Sequence, residues 1–178
     1  GFDVVLGNPP WEHTELKEKE YFASRMPEIA EALNGAKRKA LIEQLKDSDP
    51  RVYKGFVSAL RLHEGVSCIL GNSDRYPLCG RGRINSYAIF SEINRQILNE
   101  TGRIGCIVPS GIATDDTTKF YFQDLIENKS LVSLFDFENR EKLFPSVDSR
   151  MKFCLLTLSG KKAHLVTGAE FIFFAHKV

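Results

Sequence analysis

Gly1-Phe2-Asp3-Val4-Val5-Leu6-Gly7-Asn8-Pro9-Pro10-Trp11 begins as a short apolar run with β-branched residues and ends in a turn. Phe2 to Leu6 reads as a buried parallel strand, because its apolar residues are nearly continuous and Gly7-Asn8-Pro9-Pro10 then stops it in a loop. In an open α/β sheet, functional groups gather beyond the carboxyl ends of the strands, and Asn8 to Trp11 falls there. The run has no lead-in and no initiator Met, so the chain reads as a piece of a larger protein.

Downstream, the pattern turns helical from Trp11 to about Leu62. Pro27-Glu28 predicts a helix start, with Ile29, Leu33, Ala36, Ala40, Leu41 and Leu45 at the 3.6-residue period. Asp47-Ser48-Asp49-Pro50 predicts a stop and restart, after which Val52, Phe56, Ala59 and Leu60 form the next apolar face. Asn72 to Arg83 carries Gly, Pro and Arg and reads as a loop. Ile84 to Asn99 is an amphipathic helix through Tyr87, Phe90, Ile93, Ile97 and Leu98, closed by Thr101-Gly102. Arg103 to Val108 is a strand stopped by Pro109. Thr114 to Glu127 is a helix with Asp115 and Asp116 in its first turn, where the dipole favours negative charge. Leu131–Phe137, Met151–Leu158 and Glu170–Ala175 are strands. The alternation predicts an α/β fold with a mainly parallel sheet, a terminal antiparallel hairpin and a helical insert from about Glu12 to Leu70.

With 178 residues, of which 43% are hydrophobic and 26% charged, the length predicts about one domain of ordinary globular composition. It has no run long enough for a membrane span and no signal peptide, so no membrane partner is expected. A formal net charge of +1 excludes a strongly basic DNA-coating protein but leaves room for a local patch. Cys68, Cys79, Cys106 and Cys154 are scattered and read as reduced intracellular thiols. His13, His63, His164 and His176 lack ligand spacing, and no metal is expected.

Asn8 to Trp11 carries the chemistry. The Asn8 side-chain oxygen is an acceptor. Pro9 and Pro10 have fixed φ and no N–H, making a stiff turn that can aim a carbonyl outward. Trp11 supplies a flat apolar face. Two acceptors beside a stacking face suit an exocyclic amino group on an aromatic ring, such as N6 of adenine. Its lone pair is delocalised into the ring. Accepting both N–H bonds favours pyramidal nitrogen and frees that pair for an electrophile, without a titrating base. The competing reading is a proline turn whose Trp merely caps the core.

The quartet, with FDVVLG before it, resembles motif IV of the N6-adenine DNA methyltransferases that use S-adenosylmethionine. Gly82 to Phe90 (GRINSYAIF) is similar to the start of that family's motif V helix, Gly102 to Gly111 (GRIGCIVPSG) to the following strand and loop, and Phe137 to Pro145 (FENREKLFP), running into MKFCLLTL, to motif VIII. The region from motif V to motif VIII would span residues 82–160, and the style is most similar to methylase regions of type IIG restriction–modification enzymes. The resemblance implies the C-terminal part of a Rossmann-like methyltransferase sheet. It implies that Asn8 and Pro9 bind the target amino group, Pro10 holds the turn, and Trp11 stacks on a flipped adenine with Phe144 as second aromatic. Phe135, Phe137 and Phe153 compete with Phe144 for that place, though Phe135 and Phe153 read better as core. Asn85 and Tyr87 would border the methyl donor, or serve as a helix cap and a core contact. Base extrusion from double-stranded DNA is implied, with two aromatics forming a slot.

The family's glycine-rich donor loop and the acidic residue that would hold the ribose are absent, and no target-recognition domain is visible. The resemblance therefore implies partner segments elsewhere in the same chain, and a piece that alone is inactive and binds S-adenosylmethionine weakly or not at all. Arg75, Arg81 and Arg83 are candidate phosphate contacts, with Gly80 and Gly82 letting the backbone approach a ligand. Lys37-Arg38-Lys39 and Lys46 read better as a solvated face. Methyl transfer to protein glutamine or to an RNA base nitrogen, and a non-catalytic DNA-binding scaffold, are the alternatives.

Overall fold

A computed structural model describes residues 1–163 and 168–176. His164 lies outside the described residues. The chain divides into two compact units, residues 1–12 with 70–178 and residues 13–69.

In the first unit, β1 (Phe2–Gly7) ends at the Asn8–Trp11 loop, and the chain returns through the last turn of α4 (Pro50–Asn72). Then come α5 (Ser86–Ile97), β2 (Leu98–Pro109), α6 (Gly111–Thr114), a 3-10 turn at Asp116–Thr118, α7 (Lys119–Glu127), β3 (Leu131–Glu138), a second 3-10 turn at Asn139–Glu141, β4 (Lys152–Ser159) and β5 (Glu170–Ala175). The sheet order is β1-β2-β4-β3-β5. β1 is parallel to β2 and β3 to β5, while β4 runs antiparallel between β2 and β3. Four of the five strands thus share one direction, and the antiparallel hairpin is β3–β4. The last strand, β5, returns parallel to β3 at the sheet's edge.

α5 and α7 pack on the face carrying Ile104, Cys106 and Val108, with Tyr87, Tyr121 and Leu125 buried against it. Full burial of side chains of this size stabilises by about 1.5–3 kcal/mol each. The register brings the carboxyl ends of β1, β2, β3 and β5 level with the amino end of β4. Gly7 lies opposite Cys106, Pro109 opposite Phe153, and Phe153 opposite Phe137, which pairs with Ala175.

The second unit holds α1 (Glu18–Ala23), α2 (Pro27–Ala30), α3 (Gly35–Ser48) and most of α4. Its core is built on Phe22, Ile29, Ile42, Leu45 and Phe56, with Tyr21, Phe22 and Phe56 in mutual ring contact.

Several expectations need correction. β1 is parallel but an edge strand, with Phe2 61%, Val4 60% and Leu6 78% exposed. The helix expected from Pro27 through Leu45 is two, because Asn34 caps a fresh start by accepting the Lys37 N–H at 2.9 Å; Leu33 between them is exposed. Thr114–Glu127 is likewise broken, into α6, a 3-10 turn and α7, so Asp116 opens the turn and not the helix. α5 buries Ser91 and Glu92 while Phe90 and Ile97 stay partly exposed. The buried Glu92 carboxylate accepts the N–H groups of Leu78 and Cys79. Thr101-Gly102 is not a turn; it lies within β2.

Candidate active site

The loop Asn8–Trp11 leaves the carboxyl end of β1. Asn8 is exposed, and among the described residues no hydrogen bond goes to its carboxamide or to the Pro9 carbonyl. The Pro10 carbonyl accepts from the Ser86 hydroxyl at 2.6 Å. Ser86 Oγ also accepts from the Glu12 N–H at 3.0 Å, and the Ser86 N–H donates to the Glu12 carbonyl at 2.8 Å. The two acceptors expected to meet a target amino group are thus free, while the carbonyl beside them is held.

Trp11 stands in an aromatic cluster. It stacks on Phe153 with ring centroids 6.4 Å apart and an interplanar angle of 28°. Phe144 meets Trp11 edge-on at 6.2 Å and 74°, and Phe153 edge-on at 5.0 Å. Phe153 and Phe137 are buried and stacked, 5.5 Å apart at 11°. The structure therefore brings Trp11 and Phe144 together, but not as facing walls. A base between two parallel rings needs about 7 Å, twice the van der Waals contact distance. As they stand, the Trp11 and Phe144 rings are crossed, with Phe153 offset-stacked beside the indole. The Trp11 indole N–H is buried without a partner. Phe153 and Phe137 are core, while Phe135 is half-buried and in no ring contact with the cluster.

Phe144 is placed by a residue that the sequence reading passed over. Asn139 is fully buried, and its amide nitrogen donates to the carbonyls of Phe144 and Val147 at 3.0 Å while its oxygen accepts the Phe144 N–H at 3.0 Å. Asp136 was also passed over. Buried at the carboxyl end of β3, it accepts from the Ser110 hydroxyl and from the Phe174 N–H, tying β2 and β5 to β3. Glu138 pairs with Arg140 at 2.5 Å and Lys152 at 3.1 Å. The Lys152 hydrogen bond, with the Arg140 charge, holds its carboxyl below the usual glutamate range despite some desolvation. None of these partnerships has a local sequence signature, because each joins residues on different elements or across a bend.

Asn85 caps α5, its side-chain oxygen accepting the Tyr87 N–H at 3.3 Å. Tyr87 is 4% exposed, its hydroxyl near Gly111, and burial with the Asp115 charge pushes its phenol up. The loop 73–83 runs back along α5. Gln96 donates to the Arg75 carbonyl at 2.8 Å, so Arg75 sits about 15 Å from Ser86 along the helix. Arg81 lies near the helix start. It donates to the Pro77 carbonyl at 2.7 Å and covers the Phe120 ring at 4.6 Å. Arg83, exposed, follows at the same end. Gly80 is required by internal packing, since a Cβ there would meet the Leu70 carbonyl oxygen at 2.3 Å. Gly82 has φ +60°.

A cavity of about 660 Å³ opens at the other end of the sheet, lined by Arg95, Asp124, Asn128, Ser130 and Ser159 among others. None of the expected site residues lines it. Among the described residues, no three His, Cys, Asp or Glu side chains gather as a metal site, and no helix is long and apolar enough to cross a membrane.

Three solved structures give the scale of the likeness. An ATP-dependent Type ISP restriction–modification enzyme, LlaBIII, bound to DNA shares 12% identity over 97% of this chain and 10% of its own, with a TM-score of 0.48. The DrdV–DNA complex shares 10% over 96% of this chain and 14% of its own, TM-score 0.46. A Listeria monocytogenes protein described as a class I S-adenosylmethionine-dependent methyltransferase shares 12% over 53% of this chain and 28% of its own, TM-score 0.40. The chain thus spans only a small part of each. No curated protein sequence matches it. Residues 71–144, from the last turn of α4 through α5, β2, α7 and β3 to Phe144, match the model of the Eco57I restriction-modification methylase family, so that this segment, Ser86 and Asn139 included, is similar to a restriction–modification methylase.

Proposed function

We propose that the chain forms the target-base side of an S-adenosylmethionine-dependent DNA methyltransferase, acting on N6 of a flipped adenine in a restriction–modification system. The observation that carries this reading is the pair of unpartnered acceptors, Asn8 Oδ1 and the Pro9 carbonyl, beside the Trp11–Phe144–Phe153 cluster. The amino group gives its two N–H bonds to these oxygens, and its lone pair leaves conjugation with the ring. When bound, S-adenosylmethionine supplies a methyl group on a positively charged sulfur. As the nitrogen took that carbon, the methyl–sulfur bond would break with its electron pair left on the now neutral sulfur, and the nitrogen would shed one proton to water while Asn8 and Pro9 held it in place. No residue from Asn8 to Trp11 titrates, so the loop works by fixed dipoles. Asn85, whose amide nitrogen the cap leaves unused, and Tyr87 would border the donor. The rest of the donor wall and the target-recognition domain belong to segments outside these residues. Arg81 and Arg83 are the proposed phosphate contacts.

The test incubates the protein, joined to its donor-binding and recognition segments, with labelled S-adenosylmethionine and mixed-sequence duplex DNA. Asn8→Ala is the comparison. N6-methyladenine is expected from the parent, with the rate for Asn8→Ala lower by on the order of 10²–10³-fold. Because Asn8 is exposed and unbonded, the fold should survive the change. Label on a protein glutamine or an RNA base, or undiminished transfer by Asn8→Ala, would overturn the reading.

A further inference from the structure

Trp11 is held by surprisingly little of its own chemistry. Its indole N–H has no partner, and in the aromatic cluster it meets two rings, Phe153 at 6.4 Å and Phe144 at 6.2 Å between centroids. The backbone on both sides of it is fixed instead, and by one residue. Ser86 reaches across 76 positions of sequence to Pro10 and binds Glu12 twice. The hydroxyl has one proton and two close carbonyls, Pro10 at 2.6 Å and Glu12 at 3.0 Å. The Glu12 carbonyl already accepts the Ser86 N–H. Donation to Pro10, with acceptance from the Glu12 N–H, is therefore the arrangement that leaves neither side short of a partner.

Freedom in the loop is limited from the start, because Pro9 and Pro10 have fixed φ. What remains is rotation about the bonds that carry each carbonyl. Pinning the Pro10 carbonyl removes one of these rotations, and the Glu12 bonds fix the chain beyond Trp11. Ser86 itself is the first residue of α5, set between the Asn85 cap and Tyr87 in the core. We infer that Ser86 is a positioning residue for the methyl transfer proposed above, holding the Pro10 carbonyl so that Asn8, the Pro9 carbonyl and Trp11 keep one fixed arrangement. Its kinetic half rests on that proposed function; its structural half rests on these hydrogen bonds alone.

Trp11 is the sole tryptophan, so intrinsic emission reports on this loop directly. Ser86→Ala removes the hydroxyl and Ser86→Thr keeps one. Ser91→Ala is the control, since it deletes a buried hydrogen bond to the Tyr87 carbonyl in the same helix without reaching Pro10. In the 178-residue chain, Ser86→Ala should red-shift Trp11 emission and raise its quenching by acrylamide. Ser86→Thr should restore the parental spectrum, and Ser91→Ala should leave it unchanged. In the transfer assay, Ser86→Ala should lower kcat by on the order of 10²-fold, the scale of a small misplacement, with the KM for DNA little changed. Ser86→Thr should recover most of that loss.

Parental emission in Ser86→Ala would overturn the inference, as would equal shifts in Ser86→Ala and Ser91→Ala, which would indicate general loosening of α5. So would an unchanged kcat in Ser86→Ala alongside a crippled Asn8→Ala, which would leave the adenine reading standing. No transfer by the parent would instead sink the proposed function and with it the kinetic half. The emission arm would still decide whether Ser86 clasps the loop.

Discussion

Asn139 shows how much one buried amide can organise. Its two N–H donors face the carbonyls of Phe144 and Val147, with Asp148 near one of them at 3.4 Å, and its oxygen takes the Phe144 N–H. Phe144 is thus fixed at both its N–H and its carbonyl, which sets where its ring meets Trp11. Each such bond contributes about 0.5–1.5 kcal/mol net, and a buried group left unpaired costs more. Asn139→Ala should therefore destabilise the protein by about 2–4 kcal/mol, read from the denaturant midpoint. Trp11 emission should change as well, because the Phe144 edge is released from the indole. A midpoint within about 0.5 kcal/mol of the parent would show that the bend from 140 to 148 is held by something other than this amide.

At the scale of elements, Gly102 is the instructive position. As a helix-closing turn, Thr101-Gly102 satisfies every local rule, yet α5 passes directly into β2 at Leu98. A Cβ at residue 102 would stand 2.9 Å from the carbonyl oxygens of both Phe2 and Asp3 and 2.7 Å from Leu98 Cδ1. This glycine marks a close approach of β1 to β2, where their register shifts, and not the end of a helix. Gly102→Ala should cost about 1–3 kcal/mol through overpacking, with amide exchange in β1 accelerated more than in β3 or β4. Uniform acceleration across the sheet would refute the local clash. The error is of one kind with the others. Phe2 to Leu6, β3 and β5 were legible because a strand's apolar run is local. The breaks at Asn34 and Asp115 were missed because a continuous apolar period outvotes a cap or a bend. The quartet from Asn8 to Trp11 was legible as a stiff turn with two acceptors. Its clasp by Ser86 was not, because the partners lie 76 residues apart. The crossed arrangement of Trp11 and Phe144 was hidden for the same reason, since Phe153 reaches the indole only once β4 is inserted beside β2.

Across the whole molecule, the four cysteines report separately on the two units. Cys68 is exposed on α4 in the second unit, and Cys79, Cys106 and Cys154 are buried in the first. Burial pushes the Cys154 thiol up to about 12, aided by the Asp136 charge. Burial also raises Cys106, opposed by the Asn94 hydrogen bond, and raises Cys79, with the Glu92 charge adding to it. Since the thiolate is the reactive form, these three are protected both sterically and electrostatically. At neutral pH a thiol-reactive dye should therefore label one cysteine quickly, identified by mass as Cys68. The other three should react slowly, at a rate that rises with denaturant as the sheet opens, because the dye then samples the open population. Cys106 on β2 and Cys154 on β4 belong to adjacent, directly paired strands, so they should become reactive together. Rapid labelling of Cys79 alone would mean that the loop along α5 lifts while the sheet stays closed, which would also detach Glu92 from the Leu78 and Cys79 amides. Rapid labelling of Cys106 or Cys154 would contradict the packing of α5 and α7 over the sheet, and with it the rigid floor on which Ser86 holds the Asn8–Trp11 loop.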